Sequence, residues 1–210
     1  ISGQVGFTIR FNYFDTGFTR FSSQGALPMT NWGIVQSNIF HNPIEPPMRH
    51  FRTSPASDSQ KRWIVGNVIH NWQHGTLGAV WMNAPEFRNT TAFNNIFHKV
   101  RVAYRYDDDQ LTAPEFSNFN HFYNGSSGLI YRFDSGEYNA LDSLRSAKKY
   151  ELSSEESEPL FENAQLGDFR LSSQSPCKNS GISGTDKGVY LTGVEIIGAN
   201  GLAPIGTPKL

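Results

Sequence analysis

Apolar and polar residues alternate in short runs along the first two thirds of the chain. Residues 7–9, 63–65 and 79–81 are examples, rich in β-branched and aromatic side chains, and such runs end at glycine, asparagine or proline. No stretch between them carries apolar residues at a helical period. The pattern predicts many short strands, each with one buried face.

One phrase recurs along these runs. It reads QSNIFHN at residues 36–42, VGNVIHN at 65–71 and FNNIFHK at 93–99. Aligning the phrase and its weaker copies on one asparagine gives intervals of 26, 29, 28 and 25 residues. The aligned residues are Asn12, Asn38, Asn67, Asn95 and Asn120. Self-similarity at a fixed period of about 20 to 50 residues is typical of a solenoid.

Three short strands per unit and no helix predict an all-β chain folded as a parallel β-helix. A leucine-rich repeat lacks support because its leucine spacing is absent, and a β-propeller needs longer units. We expect Asn38, Asn67 and Asn95 to stack in consecutive turns, where each tolerates a left-handed backbone and joins its neighbours by amide hydrogen bonds. The apolar pairs Ile39/Phe40 and Ile96/Phe97 are expected to form interior stacks.

The pattern changes after Tyr123. Residues 140–150 carry Leu141, Leu144 and Ala147 at helical spacing, which predicts one short helix packed against the flank or end of the sheets. Residues 167–190 are interpreted as late-coil and capping elements. We therefore expect one fold unit over residues 1–191, with coils to about 135, and a strand with a Gly/Pro-rich tail over 192–210.

Composition excludes several classes of protein. The 18 basic and 19 acidic residues argue against a nucleic-acid partner, and no apolar run approaches the roughly 18 residues of a membrane span. Cys177 is the single cysteine, so an intrachain disulfide and a cysteine-rich metal site are excluded. The chain begins with Ile1 in a strand-like stretch, and we expect an N-terminal remainder of a longer protein.

Four phrases near the end carry a family resemblance: EPLF (158–161), GDFRL (167–171), SPCKNSG (175–181) and DKGVY (186–190). They resemble the C-terminal portion of right-handed parallel β-helix proteins among secreted bacterial carbohydrate-active enzymes, the polysaccharide lyases and glycoside hydrolases. Two positions depart from the usual pattern of these proteins. Glu158 occupies a position where they usually have aspartate, and residues 177–179 replace their usual run of small, apolar and acidic residues. The resemblance implies a right-handed parallel β-helix (solenoid) with a C-terminal capping segment, a polysaccharide or oligosaccharide partner, and a secreted, cell-surface or periplasmic location.

The strongest candidate site is residues 98–110. Basic residues alternate there with Val100, Val102 and two tyrosines, which places the bases on one strand face. We predict that Lys99, Arg101 and Arg105 are catalytic and that Tyr104 and Tyr106 bind substrate by stacking on sugar rings.

A second basic stretch precedes it. The longest break in the repeat, residues 42–63, holds Arg49, His50 and Arg52, which we predict to bind an acidic sugar near the first site, because arginine matches carboxylate oxygens bidentately. An ordinary solvated loop is the alternative.

A metal site is a further prediction. Asp107 and Asp109, in a run of three aspartates, have the carboxylates that Ca²⁺ prefers, although a solvated turn explains them as well. His41, His70 and His98 are more simply explained as equivalent, semi-exposed positions of the repeat than as metal ligands.

These residues favour β-elimination on a uronic-acid glycan, in which, as the resemblance implies, arginine or lysine neutralises the carboxylate and removes a proton. A glycoside hydrolase would instead need two carboxyl groups, for which Asp107, Asp109 and Glu86 are candidates. A non-catalytic glycan-binding or adhesin-like module, and a purely structural solenoid, remain as alternatives.

Overall fold

The structure, a computed structural model, describes residues 7–15, 33–44, 47–50, 62–82, 90–107, 114–124, 128–133, 135–190 and 197. The strands are β1 Phe7–Arg10, β2 Tyr13–Asp15, β3 Gly33–Gln36, β4 Ile39–His41, β5 Met48–His50, β6 Arg62–Val65, β7 Val68–His70, β8 Val80–Met82, β9 Thr90–Phe93, β10 Ile96–His98, β11 Val102–Tyr106, β12 Phe116–Asn118, β13 His121–Tyr123, β14 Leu129–Phe133, β15 Gly136–Tyr138, β16 Glu155–Glu156, β17 Phe161–Asn163 and β18 Asp168–Leu171. The helix α1 is Leu141–Lys148, and short 3-10 turns span Ala164–Leu166 and Ile182–Gly184. None of the helices in the described ranges has the length and apolar character that a bilayer crossing requires.

Most strands belong to three sheets. Sheet one has the order β1-β3-β6-β9-β12, sheet two β2-β4-β7-β10-β13-β16, and sheet three β5-β8-β11-β14-β15. From β3 to β14 the chain visits sheets one, two and three in turn, so neighbouring strands in a sheet lie about one repeat apart in sequence. Their pairing is parallel, and only the last pair of sheet three, β14 with β15, is antiparallel. The prediction of an all-β chain with parallel strands and one short helix is confirmed.

The recurring asparagines form a continuous hydrogen-bonded row between sheets one and two. The side-chain amide of Asn12 donates to Oδ1 of Asn38 at 3.0 Å, and the same bond joins Asn38 to Asn67 at 3.1 Å, Asn67 to Asn95 at 3.0 Å and Asn95 to Asn120 at 3.0 Å. Each accepting Oδ1 also receives the main-chain N–H of the preceding asparagine. The predicted stacking of Asn38, Asn67 and Asn95 is confirmed.

The left-handed residue of each turn is not the asparagine itself, which corrects the expectation above. It is the residue before, with φ between 52° and 60°, and the five are Phe11, Ser37, Gly66, Asn94 and Phe119. Only one of them is glycine, so four non-glycine residues hold a conformation that is costly for them. Each of these residues is followed directly by an asparagine of the hydrogen-bonded row.

The row ends on a buried carboxylate. The side-chain amide of Asn120 donates to both oxygens of Glu151 at 3.0 Å, and its main-chain N–H donates to Oγ of Ser154 at 2.8 Å. Hydroxyls of Ser117 and Tyr131 also donate to Glu151. Glu151 and Ser154 thus take over the accepting role that an asparagine has in the repeats above them.

The main core lies between the three sheets. Sheet two contributes an aromatic and aliphatic stack. The ring centres of Phe14 and Phe40 lie 5.1 Å apart, and those of Phe97 and Phe122 lie 5.3 Å apart. Ile39 and Ile96, predicted to share this interior, instead belong to a second apolar cluster on the other side of sheet two. Period two explains the correction, since adjacent residues of a strand face opposite sides.

The C-terminal segment covers the outer side of sheet two. Phe169, Cys177 and Val189 pack there with Ile39 and Ile96, together with Val68, Tyr190 and Ile197. The contact is close at Gly188, where φ is +85° and an added Cβ would lie 2.8 Å from Cδ1 of Ile96. Residues 167–190 therefore cover a flank. Apart from Ile197, the predicted tail at 192–210 lies outside the described residues.

The helix α1 packs against the last strands of the sheets. Leu141 and Leu144 are buried in the main core, as predicted, and the main-chain N–H of Leu141 donates to Glu156 of β16. Arg145 donates to the carbonyl oxygens of Glu151 and Ser154. The helix is therefore joined to the end of the sheets through both its apolar and its polar face.

Replacing Leu144 by alanine is expected to lower the free energy of unfolding by roughly 2 to 5 kcal/mol, because the side chain is fully buried and its removal leaves a cavity. Urea denaturation followed by circular dichroism measures the change. Ser146→Ala, on the exposed side of the same helix, is the control and should change stability by less than about 0.5 kcal/mol. A loss below about 1 kcal/mol for Leu144→Ala would show that the helix is peripheral.

Candidate functional site

A row of charged and aromatic residues crosses sheet three, one residue to a strand. Strand pairing aligns Arg49 of β5 with Trp81 of β8, Trp81 with Arg105 of β11, Arg105 with Arg132 of β14, and Arg132 with Glu137 of β15. Neighbouring strands lie about 4.8 Å apart, so these positions form one continuous line across the sheet.

Arg105 is fixed from two sides. Its guanidinium lies 4.6 Å from the centre of the Trp81 ring, and its Nε donates to Oδ1 of Asp107 at 2.6 Å. The indole Nε1 of Trp81 donates to the other oxygen of Asp107 at 2.9 Å. A cation–π contact and a charge-assisted hydrogen bond thus hold the guanidinium in one orientation at the surface.

Three guanidinium groups gather at the turn formed by Gly75 and Thr76. The carbonyl oxygen of Thr76 accepts from Nη1 of Arg105 at 3.0 Å and from Nη1 of Arg132 at 3.2 Å. Arg101 lies against the neighbouring glycine, where an added Cβ would be 3.2 Å from its Nη1. Such a concentration of positive groups favours an anionic ligand.

Carboxylates balance two of these three charges. Asp107 pairs with Arg105, and Glu137 accepts from Nε of Arg132 at 2.7 Å. Arg101 is exposed and has no carboxylate partner among the described residues, so its charge is the uncompensated one.

A surface cleft of about 490 Å³ opens beside these groups. We call it the arginine cleft, and its polar lining consists of Thr76, Arg105, Asp107, Arg132, Ser135 and Glu137. The volume lies within the range of roughly 300 to 1,000 Å³ that is typical of small-molecule sites. Guanidinium groups and carboxylates in one cleft can bind an anion, donate to and accept from sugar hydroxyls, and take up a proton.

The predicted catalytic residues divide. Arg105 lines the arginine cleft, and Arg101 lies beside the cleft, against Gly75. Lys99 is exposed in a left-handed turn after β10, with φ of 55°, and no contact between described residues joins its side chain to the cleft. Arg49 and His50 lie on β5, where pairing places Arg49 in the row. Arg52 lies outside the described residues.

Tyr104 and Tyr106 are misplaced in the predicted site. Both rings face the interior, with exposed fractions of 0% and 1%, and Tyr104 stacks on Tyr131 at 4.7 Å. Burial raises the pKa of both phenols well above the ordinary value. The alternation that turns the arginines outward necessarily turns these rings inward, so neither ring can stack on a sugar, although Tyr106 is among the residues that line the arginine cleft.

The calcium prediction gains no support. Both oxygens of Asp107 accept hydrogen bonds from N–H donors, which suits an ion pair better than metal ligation. Asp109 and Glu86 lie outside the described residues. Within the described ranges, no group of three or more His, Cys, Asp or Glu side chains is arranged to hold a metal ion.

The repeat histidines occupy equivalent positions on sheet two, but they are buried and not semi-exposed. His41, His70 and His98 are aligned by strand pairing, and their successive ring centres lie 5.2 and 4.7 Å apart. The ring of Phe169 covers His41 and His70. His121 is aligned with Ile96 and so stands out of the row.

Sequence reasoning missed Arg132, Glu137, Thr76 and the role of Trp81.

Comparison with known proteins adds no relative: no protein-family model matches the chain, and no curated protein sequence matches it.

Proposed function

We propose that the protein is a right-handed parallel β-helix that binds an anionic glycan in the arginine cleft and cleaves it by β-elimination. The repeating passage through three parallel sheets and the continuous row of asparagines support the β-helix. The resemblance of the C-terminal phrases supports its handedness and a secreted or cell-surface location. The observation that carries the activity is the meeting of Arg101, Arg105 and Arg132 at one turn.

The reaction needs a cation beside the carboxylate of a uronic-acid unit and a base near the adjacent carbon. Arg101, whose charge is uncompensated and which lies beside the cleft at Gly75, binds the carboxylate and stabilises the negative charge that develops on it. Arg105 and Arg132 are held in fixed orientations by Asp107 and Glu137 and donate to neighbouring oxygens of the glycan.

Glu137 is the more exposed of the two carboxylates, and we assign it as the proton acceptor. It removes the proton from the carbon next to the carboxylate. The electron pair forms the carbon–carbon double bond, and the glycosidic oxygen departs with a proton from water.

Arg101→Ala should lower kcat/KM on a polyuronate by roughly 10- to 100-fold, the equivalent of losing a charge-assisted hydrogen bond of about 1.5 to 3 kcal/mol. The assay uses a panel of polyuronates and neutral glycans and follows both unsaturated ends, by ultraviolet absorbance, and reducing ends. Arg132→Ala should show a similar loss, and Arg101→Lys a smaller one. Arg170→Ala, which removes an arginine of the C-terminal segment, is the control. Unsaturated product that persists unchanged in both alanine variants contradicts the assignment.

Hydrolysis is the second candidate, because Asp107 and Glu137 line the same cleft. Reducing ends without unsaturation, lost in Asp107→Asn and in Glu137→Gln, would favour it. Binding of a polyuronate without any product would instead identify a glycan-binding module.

A further inference from the structure

The outward side of sheet one differs in character from that of sheet three. Strand pairing aligns its outward positions in two rows across β3, β6, β9 and β12. One row is Ile34, Trp63, Thr91 and Phe116, and the other is Gln36, Val65, Phe93 and Asn118. These eight side chains are uncharged, and three of them are aromatic. The next strand of the sheet, β1, extends the two rows with Thr8 and Arg10.

A shallow groove of about 270 Å³ lies on this side, lined by Ile34, Gln36, Trp63, Val65 and Phe93. Phe116 continues the aromatic surface, with 36% of its area exposed and its ring edge-on to Phe93 at 6.5 Å. The volume is slightly below the roughly 300 Å³ at the lower end of small-molecule sites. The groove therefore suits a short stretch of a ligand that continues beyond it.

The indole of Trp63 is distinct from the other described indoles. Nε1 of Trp72 donates to the carbonyl oxygen of Leu77 at 3.0 Å, and Nε1 of Trp81 donates to Asp107 at 2.9 Å. Nε1 of Trp63 and the side-chain amide of Gln36 have no hydrogen-bond partner among the described residues, and both side chains are partly exposed. The groove thus offers an aromatic face together with unused hydrogen-bond donors and acceptors.

We propose that the outward side of sheet one binds a neutral oligosaccharide. The flat apolar face of a sugar ring packs on Trp63 and Phe93, and its hydroxyls accept from the indole N–H and exchange hydrogen bonds with the Gln36 amide. The groove itself is lined by uncharged side chains, which favours a neutral sugar ring there, and the nearest charge in register is Arg10 of β1, aligned with Gln36 at the end of the row. This site lies on a different sheet from the arginine cleft and does not depend on its activity.

The test is calorimetric titration of the full chain with cellohexaose, mannohexaose and a hexameric polyuronate, combined with quenching of tryptophan fluorescence. We expect binding of at least one neutral hexamer. Trp63→Ala should weaken it at least tenfold, Gln36→Ala should weaken it severalfold, and Trp63→Phe should retain part of it. Leu166→Ala, which removes an exposed apolar side chain of the C-terminal segment, should leave the affinity unchanged.

Three results would overturn the proposal: no binding of either neutral hexamer by the wild-type chain, an unchanged affinity in folded Trp63→Ala, or a dimer in sedimentation that Trp63→Ala dissolves. The last result would identify the groove as a contact between two copies. Circular dichroism of each variant confirms that it is folded. Because the polyuronate is titrated separately and Arg101→Ala is tested in parallel, failure of the arginine cleft and failure of this groove give different patterns.

Discussion

Asn67→Ala is expected to lower the free energy of unfolding by roughly 3 to 5 kcal/mol, because the substitution leaves several buried polar groups without partners. Asn67 is fully buried, and its side-chain amide donates to the carbonyl oxygen of Val35 at 2.9 Å and to Asn95 at 3.0 Å. Its Oδ1 accepts from the main-chain N–H and the side-chain amide of Asn38. Each orphaned group costs about 1 to 3 kcal/mol, and relaxation around the site recovers part of the sum.

Urea denaturation with wild type and variant side by side measures this loss. Asn139→Ala removes an exposed asparagine and should change stability by less than about 0.5 kcal/mol. Asn67→Asp keeps the volume but replaces two N–H donors by a charge, so it should be at least as destabilising as alanine. A change below about 1 kcal/mol in both Asn67 variants would mean that the row of asparagines follows the fold without stabilising it.

The asparagine row could be predicted from the sequence because one residue type at a fixed interval has a local physical role. An amide that donates and accepts can join identical copies of itself, and few other side chains can. The position of the left-handed residue was not predictable in the same way. Phe11, Ser37, Gly66, Asn94 and Phe119 share no side-chain property that would mark them.

The arginine cleft was only half predictable. Arg105 is marked by the alternation within β11, and Arg101 by the same pattern just before that strand, but Trp81, Arg132 and Glu137 lie on other strands. Trp81 is 14 residues after Asn67, Arg105 is 10 after Asn95, and Arg132 is 12 after Asn120. The turn between sheets two and three varies in length, so residues that pairing aligns fall at different offsets in the repeat, and no fixed spacing reveals them.

The buried histidines illustrate a different limit. Their equivalence follows from the repeat, but their burial depends on the C-terminal segment, which packs back on sheet two from about 70 residues farther along the chain than His98. A contact so distant in sequence leaves no local signal at the histidines themselves.

The buried row of His41, His70 and His98 is poorly suited to positive charge. Nδ1 of His70 lies 2.9 Å from Nδ1 of His98, and such a hydrogen bond requires one of the two nitrogens to be unprotonated. Burial, with neighbouring imidazoles and Lys99 as smaller causes, lowers the pKa of His70 from 6.5 to about 3. Burial also lowers the pKa of His98 and that of His121 to about 4.

The charged and titratable groups around the row come from every element that packs on it. Asp15 lies 3.2 Å from Nδ1 of His41, whose pKa burial nevertheless lowers, and Glu158 lies 3.1 Å from Nε2 of His98. Glu155 lies 3.6 Å from both His121 and the buried Lys187. The remaining groups are Tyr13, Lys99, Tyr123 and Tyr190. His70 has no carboxylate within ion-pair distance among the described residues, so it is the clearest residue to test.

Stability is expected to fall as the pH is lowered from about 6.5 to about 4, beyond the general loss from carboxylates. The sign follows from the direction of the shifts: in this window the unfolded chain binds protons on histidines that stay neutral when folded, so acid favours unfolding. One such histidine gives a slope of up to about 1.4 kcal/mol per pH unit, and His70 alone contributes on the order of 2 kcal/mol at pH 5.

Urea midpoints at pH 7.5, 6, 5 and 4.5 measure the slope. His70→Leu should reduce it by about one proton equivalent whatever its effect at pH 7.5, whereas His74→Gln, which removes an exposed imidazole, should keep it. An unchanged slope in folded His70→Leu would show that His70 takes up its proton in the folded state, and that the cover formed by Phe169 opens to water.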